Sequence, residues 1–153
     1  ARYKAPIVIS HTKGLPKTMQ DDPRYADLVG EIVMALRDGC HQAASQGVPA
    51  EQMIVDPGIG FGKTTDHNLR LIKNLSSLRV LGKPILIGVS RKSFLGEVLQ
   101  VLAEERLHGA MAAVALCVQN GANIVRVHDV KETTHVVRVA DAVRRGRNTV
   151  TQE

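Results

Sequence analysis

The fold of this chain is decided by residues 53–73, which read MIVDPGIGFGKTTDHNLRLIK. The β-branched run Met53–Asp56 is typical of a buried strand, and the glycine-rich turn after it leads into a segment with helical periodicity. We expect that helix to extend from Asp66 to Leu75. The stretch therefore predicts one strand–turn–helix unit.

The same order of elements occurs four times along the chain. Continuous apolar runs, rather than alternating ones, indicate parallel strands that are buried on both faces. The predicted strands are Ile7–Ser10, Met53–Asp56, Ile85–Val89 and Ile124–Val127. Because no low-complexity linker separates them, we expect one domain over residues 1–153 and no second domain.

Apolar residues at helical spacing predict the longer helices. The first is expected to begin at Asp22-Pro23, an N-cap followed by proline, and to end at Gly47. Its inward stripe is Val29, Val33, Leu36, Cys40 and Ala43. The next stripe is Leu107, Met111, Val114 and Val118, ending at Asn120-Gly121. The last helix is expected from Glu132 to Arg145, with Val136, Val139, Ala140 and Val143 inward.

Four consecutive βα units fit either a doubly wound open sheet or part of a (βα)₈ barrel. The length of 153 residues slightly favours the open sheet, because a complete barrel needs about 250 residues. The strand ends favour the barrel, because their polar side chains converge on one mouth, where barrel active sites lie. These side chains are Ser10, His11, Asp56, Ser90, Arg91, Lys92, Arg126, His128 and Asp129.

Composition excludes several classes of protein. The net charge is +5, but the basic residues are scattered except for Arg144-Arg145-Gly146-Arg147, which we interpret as a solvated helix end. We therefore expect no nucleic-acid partner, and no apolar run reaches the ~18 residues that span a membrane. Cys40 and Cys117 are expected to be core thiols in a reducing compartment, the cytoplasm. Residues 1–6 carry no signal peptide and begin abruptly, so we expect a fragment.

Two segments point to the kind of ligand. Arg126 and His128 alternate with Val125 and Val127, so they share one face of the strand and could bind one anion together. The alternative for Arg126 is a structural ion pair with Asp129 or another carboxylate. The glycine-rich turn fits neither the phosphate-binding loop nor the dinucleotide fingerprint. It could instead hold Phe61 at the mouth, against a flat ring.

Three long motifs resemble those of the dihydropteroate synthases, which are pterin-binding (βα)₈ barrels. They are Asp56 to Lys63, Gly88-Val89-Ser90-Arg91-Lys92-Ser93-Phe94 and Ile124 to Val130. The segment Lys13-Gly14 to Gln20 also resembles the fifth loop of that family, so the resemblance covers essentially the whole chain. It implies the last four units of the barrel, the C-terminal half.

The resemblance also implies a reaction, in which p-aminobenzoate displaces diphosphate from a dihydropterin diphosphate in folate synthesis. Asp56 and Lys92 would bind the pterin, Arg126 and His128 the diphosphate, and Phe61 and Ser90 the p-aminobenzoate; Val127 belongs to the substrate-binding set. Lys92, Arg126 and His128 would be the catalytic residues. The family's Mg²⁺ ligand lies in the N-terminal half, so no metal ligand is expected here.

Further expectations follow from the resemblance. The family commonly has Met-His-Met where this chain has Ser10-His11-Thr12, so we expect a looser apolar wall near the ligand. Sulfonamides would be inhibitors. A half-barrel exposes its two outer strands, so we expect a homodimer or a self-association that completes the barrel.

Two rival functions remain open. One is a methyltransferase that binds methyltetrahydrofolate in the same fold and needs no diphosphate site. The other is a non-catalytic pterin-binding or assembly fragment.

Overall fold

A computed structural model describes residues 3–146 of the chain. Arg147, the last member of the predicted basic helix end, lies outside the described residues. Arg144 and Arg145 do end the last helix, and both pair with Asp141, at 2.7 Å and 2.9 Å. None of the helices in the described range is long and apolar enough to cross a membrane.

All four predicted strands are present and parallel. They are β1 (Ile7–Ser10), β2 (Met53–Asp56), β3 (Leu86–Ile87) and β4 (Ile124–Val125). β1 pairs with β2 and β3 pairs with β4, while a bridge between Val55 and Ile85 joins the two pairs. The strands thus follow one another in chain order, and β1 and β4 form the outer edges.

β3 and β4 are shorter than the predicted runs Ile85–Val89 and Ile124–Val127. The backbone pairing ends with the bond from Arg126 N to Ile87 O, 2.9 Å. Beyond it, His128 N donates to the side chain of Ser90, 3.3 Å, instead of to a strand carbonyl. Side-chain contacts therefore replace the ladder at this point, and Arg126 lies just after β4 rather than inside it.

Within residues 3–146, five α-helices accompany the strands, with short 3₁₀ turns at Ala50–Gln52, Leu75–Leu81 and Ala103–Glu105. The helices are α1 (Leu28–Ser45), α2 (Thr65–Lys73), α3 (Ser93–Leu99), α4 (Leu107–Gln119) and α5 (Val130–Arg145). Helix α2 begins one residue before the predicted Asp66 because Thr64 caps it, and the buried Leu75 belongs to the following 3₁₀ turn. Helix α3 was not predicted from the sequence.

The predicted start of the first helix at Asp22-Pro23 is wrong. Helix α1 begins at Leu28, and the side chain of Asp27 accepts a hydrogen bond from Gly30 N, 3.1 Å. Glu31 reaches back to the amides of Ala26 and Asp27, at 2.7 Å and 3.1 Å. Asp27 thus satisfies one free amide of the first turn, and Glu31 satisfies the amides of the cap residue and of the residue before it, whereas Asp22 pairs with Arg24 in the preceding loop. The most buried stripe is consequently Leu28, Ile32, Leu36 and Cys40.

Helix α5 has a different inward face from the predicted one. Val136, Val137 and Ala140 pack against the core, as does the buried Thr133, which is 2% exposed. Val139 and Val143, which were predicted to face inward, are 66% and 72% exposed. Positions 133, 136, 137 and 140 follow the spacing of one helical face, and that face is the one that reaches α4 and β4.

The core is aliphatic and lies between the strands and the helices. Cys40 and Cys117 are both buried free thiols, and burial raises the pKa of the Cys117 thiol to about 12. The prediction of two core thiols is confirmed. Because the four strands are parallel and in chain order, their carboxyl ends lie at one edge, which carries the candidate site.

Candidate functional site

The carboxyl ends of neighbouring strands are held side by side. Ser10 lies opposite Asp56 in the β1–β2 register, and His11 N donates to Asp56 O, 3.0 Å. On the other side, the chain after β3 is tied to the chain after β4 by the bond between His128 and Ser90. The residues that follow all four strands are therefore brought together, as the sequence predicted.

Asp56 ends β2 and turns the chain into the glycine loop, residues 57–62. One carboxylate oxygen accepts a hydrogen bond from Gly58 N, 2.8 Å, so this side chain stabilises the turn that it begins. The carboxylate is half-buried at the strand end. A carboxylate in this place can accept two hydrogen bonds from adjacent donors on a planar ligand.

Phe61 and Lys92 come together although they follow different strands. The Lys92 ammonium lies 4.7 Å from the centre of the Phe61 ring and donates to Ile59 O. The ring is 43% exposed, so one side of it is open to a ligand. Burial lowers the pKa of Lys92, Asp56 opposes that change, and Arg126 adds to it. An aromatic ring, an amine and a carboxylate thus surround one space.

Arg126 and His128 are both exposed. Val125, which precedes Arg126, and Val127, which lies between the two, are partly buried against the core. The predicted alternation is confirmed. Within residues 3–146, the Arg126 guanidinium has neither a hydrogen bond nor an ion pair. Asp129, its expected alternative partner, instead accepts two hydrogen bonds from Arg91, at 2.7 Å and 3.2 Å.

Ser90 orients His128. Its hydroxyl lies 3.0 Å from His128 Nδ1 and also accepts from His128 N, 3.3 Å. With one ring nitrogen engaged, the other is left to face a ligand. Ser90 itself is 6% exposed, so its contact with His128 dominates, and its role in a p-aminobenzoate pocket stays a prediction.

A buried Lys–His pair, which was not predicted from the sequence, lies beneath the glycine loop. Lys63 Nζ is 2.9 Å from His11 Nδ1 and 3.0 Å from Phe61 O. Burial lowers the pKa of Lys63 to about 8, and burial together with Lys63 and Lys13 lowers the pKa of His11 to about 4. The imidazole is therefore neutral at pH 7 and accepts from the ammonium. The only sequence signal was that His11 follows a strand and Lys63 ends the glycine motif.

The low pKa of His11 predicts an acid-sensitive fold. Folded His11 binds its proton near pH 4 and unfolded His11 near pH 6.5, so the unfolded state binds more protons between these values. The contribution of neutral His11 to the free energy of unfolding should be fully present above pH 6.5 and should fall as the pH drops towards 4. At pH 5 the free energy of unfolding should be lower by about 2 kcal/mol.

Urea unfolding at pH 7 and at pH 5 measures the free energy of unfolding. It is carried out on the full-length protein that contains this chain. His11→Asn can still accept from Lys63 but does not titrate, so the pH-dependent part of the loss should shrink in this variant. An equal loss in both proteins would contradict the assignment.

The side chains of the site do not form a metal centre. Among residues 3–146, no group of three or more His, Cys, Asp or Glu side chains is placed to hold a metal ion. The described residues therefore do not supply a complete set of protein ligands for a magnesium ion.

Comparison with known proteins identifies the class. The family described as pterin binding enzymes matches residues 1–128, so the chain belongs to this family of pterin-binding barrels. More particularly, several relatives that match this chain are dihydropteroate synthases. The Synechocystis dihydropteroate synthase is 44% identical over 144 residues, which are 94% of this chain and 50% of that protein.

Solved structures agree on the fold. The Yersinia pestis dihydropteroate synthase with a sulfonamide drug complex matches with a TM-score of 0.93 and 36% identity, over 95% of this chain and 53% of that one. The Thermus thermophilus enzyme in complex with 6HMPPP matches with a TM-score of 0.87 and 38% identity, over 94% and 57%. The chain spans about half the length of these relatives. Its architecture is that of four βα units of a (βα)₈ barrel, and the open-sheet alternative is excluded.

Proposed function

We propose that this chain supplies half of the active site of a dihydropteroate synthase. The observation that carries the proposal is the unpaired Arg126 guanidinium beside His128, at the same mouth as Asp56 and Lys92. Lys92 interacts with Arg126, with the Asp56 carboxylate and with the exposed Phe61 ring. A cation without a partner among residues 3–146, at a mouth that also carries a carboxylate and an aromatic ring, suits a flat heterocycle that carries an anionic group. The family, and the solved dihydropteroate synthase structures with 6HMPPP and with a sulfonamide drug complex, support this ligand.

The substrates would divide among these residues. Asp56 accepts hydrogen bonds from the pterin's amino group and ring nitrogen, and Lys92 donates to the pterin from the next strand end. Arg126 and His128 bind the diphosphate. Phe61 offers the open side of its ring to p-aminobenzoate, with Ser90 and Val127 completing the substrate-binding set.

The reaction is a displacement at the methylene carbon of the dihydropterin. The amine nitrogen of p-aminobenzoate forms the new C–N bond as the C–O bond to diphosphate breaks, and the bonding electron pair leaves with the diphosphate. The amine loses one proton, and no covalent protein intermediate is needed. Negative charge grows on the leaving group, so the Arg126 cation, together with a hydrogen bond from the His128 ring, lowers the barrier.

The direct experiment is turnover by the full-length protein with 6-hydroxymethyl-7,8-dihydropterin diphosphate and p-aminobenzoate, followed by mass spectrometry of 7,8-dihydropteroate. Product formation that sulfonamides inhibit is expected. Calorimetry with a pterin, with and without diphosphate, separates the rivals. Binding strengthened by diphosphate supports the synthase, pterin binding indifferent to diphosphate supports a methyltransferase, and no binding supports a non-catalytic fragment.

Asp56→Asn provides a residue-level test of the pterin contact. Asparagine keeps the oxygen that accepts from Gly58 N, so the turn should survive, but its amide group faces the pterin donors with a donor of its own. We expect calorimetry to show pterin binding weakened by about 1.5–3 kcal/mol. Asp66→Asn, an exposed position on α2, is the matched control and should bind as the unsubstituted protein does. Equal affinities in all three proteins would contradict the role of Asp56.

The outer edges of the sheet also call for a partner. Beside β4 and α5 lies a groove of about 560 Å³, lined by apolar side chains that include Leu86, Ile124 and Val137. Val8 of β1 is 47% exposed at the other edge. We propose that further βα units complete the barrel across these edges, and that copies of this chain self-associate when those units are absent. Light scattering of the 153-residue chain at micromolar concentration tests this, and a well-behaved monomer would overturn it.

We further propose a cytoplasmic location, supported by the two buried free thiols. No nucleic-acid or membrane partner is proposed. Mg²⁺ remains a proposed cofactor of the whole enzyme, with no ligand assigned to this chain.

A further inference from the structure

The turn Gly60–Lys63, which presents Phe61, is held by a side chain that comes from another part of the chain. Gln20 lies between β1 and α1, and its amide spans this turn. Its nitrogen donates to Gly60 O, 3.0 Å, and its oxygen accepts from Lys63 N, 3.0 Å. One amide thus satisfies the backbone on both sides of Phe61 by using its donor and its acceptor.

A second contact from the same segment reinforces this arrangement. Tyr25 donates from its hydroxyl to Gly62 O, 2.8 Å. The two chain segments are also in close contact at Gly62, where an added Cβ would lie 2.4 Å from Lys13 O. The segment 13–25 therefore packs directly against the glycine loop.

Three further backbone groups of the turn have partners on the inner side. Gly60 N donates to the side chain of Asn68, 2.8 Å, and Phe61 N donates to Gly58 O, 3.1 Å. Phe61 O accepts from Lys63 Nζ, 3.0 Å. The backbone of Phe61 is fixed by these bonds, although its ring is 43% exposed and is not held by the core.

Gln20 is not needed for burial. Its side chain is exposed, so replacing it removes little packing, whereas it removes two hydrogen bonds that close the turn from outside. The Lys92 ammonium lies over one part of the ring, 4.7 Å from its centre, but the core does not enclose the ring. The position of the ring therefore depends largely on its backbone. A residue that fixes the backbone on both sides of Phe61 thereby fixes the ring.

We propose that Gln20 is a positioning residue that sets the place of Phe61 and, through it, the affinity for the aromatic amine substrate. The inference rests on the proposed function, in which Phe61 contacts p-aminobenzoate. Pterin binding depends on Asp56, Lys92 and Arg126, which Gln20 does not contact. Because Lys92 also lies against the Phe61 ring, the effect of Gln20 should fall mainly, though not solely, on p-aminobenzoate.

The test uses Gln20→Leu, which removes both hydrogen bonds, and Gln20→Glu, which keeps an acceptor for Lys63 N and loses the donor to Gly60 O. Gln42→Leu, at an exposed position on α1, is the matched control. In the full-length protein, Gln20→Leu should raise the KM for p-aminobenzoate about tenfold, as for the loss of about 1.4 kcal/mol of hydrogen bonding. Gln20→Glu should raise it less, and the KM for the pterin diphosphate should change less than about twofold in either variant.

A double-mutant cycle with Phe61→Ala gives the decisive readout. If Gln20 acts through Phe61, adding Gln20→Leu to Phe61→Ala should raise the KM for p-aminobenzoate no further. Additive effects would overturn the inference, as would equal changes in both KM values or no change in either.

Failure of the proposed function would be seen separately, as absence of dihydropteroate in the unsubstituted protein. In that case amide hydrogen exchange decides the inference. Gln20→Leu should accelerate exchange at Phe61 and Lys63 while leaving α1 unchanged, and unchanged exchange at the turn would refute the role of Gln20.

Discussion

Replacing Arg126 with alanine is expected to weaken binding of the pterin diphosphate by about 2–4 kcal/mol, a loss of about 30- to 1,000-fold in affinity. We expect this loss because the Arg126 guanidinium has no partner among residues 3–146 and lies just after β4, at the mouth of the site. Arg126 would make its favourable interaction with the diphosphate of the ligand. Arg126→Ala removes that interaction, and it leaves no buried carboxylate of the protein without a partner. Calorimetry in the full-length protein measures the loss.

Two further variants make the result specific. Arg126→Lys keeps the charge but not the planar group with several donors, so it should recover part of the affinity. Arg37→Ala removes the same charge from an exposed position on α1 and should leave affinity unchanged. Affinity for a pterin without diphosphate should fall much less. Equal affinity of Arg126→Ala and the unsubstituted protein for the diphosphate ligand would refute the assigned role.

Replacing Gly58 with alanine is expected to lower the free energy of unfolding by about 3–5 kcal/mol. Gly58 has φ +69°, and an added Cβ would lie 1.8 Å from the backbone oxygen of His11. Neither chain segment can move easily, because β1 and β2 are paired up to Ser10 and Asp56. Backbone must therefore shift, and the turn that begins at Asp56 must open. Urea unfolding of the full-length protein measures the change.

Gly82→Ala separates the clash from the backbone strain. Gly82 has a similar φ of +60°, but nothing lies within 4 Å of an added Cβ. This control should lose only about 1 kcal/mol, the ordinary penalty for a left-handed alanine. If Gly58→Ala and Gly82→Ala lowered the free energy of unfolding equally, the close approach of His11 to Gly58 would have no energetic consequence.

The strands and the convergence of polar residues could be predicted from the sequence because both depend on local patterns. A continuous apolar run in a chain of βα units indicates a buried strand, and parallel strands place their carboxyl ends at one edge. Asp56, Lys92, Arg126 and His128 were identified in this way without knowledge of any contact. The alternation of Arg126 and His128 with the two valines also follows from the strand period of two.

The remaining features depend on contacts between distant residues, which no local pattern contains. Asp22-Pro23 has the local form of a helix start, but the helix begins at Leu28 because Asp27 caps it and Glu31 supplies a second acceptor there. The predicted inward face of α5 was wrong because valine occurs at five positions of this helix, and the sequence does not indicate which of them contact α4. The pairing of Lys63 with His11 joins residues 52 positions apart, and the bond from Gln20 to Gly60 spans 40.

The ion pair between Arg91 and Asp129 has a consequence for the neighbouring arginine. By occupying both oxygens of Asp129, Arg91 removes the carboxylate that is nearest to Arg126 in sequence. An arginine with an internal counterion would have to break that pair before an anion could bind, and the energy of the pair would be subtracted from the affinity. Within the described part of the chain no such exchange is required, so Arg126 meets an incoming diphosphate as a cation with its full charge uncompensated.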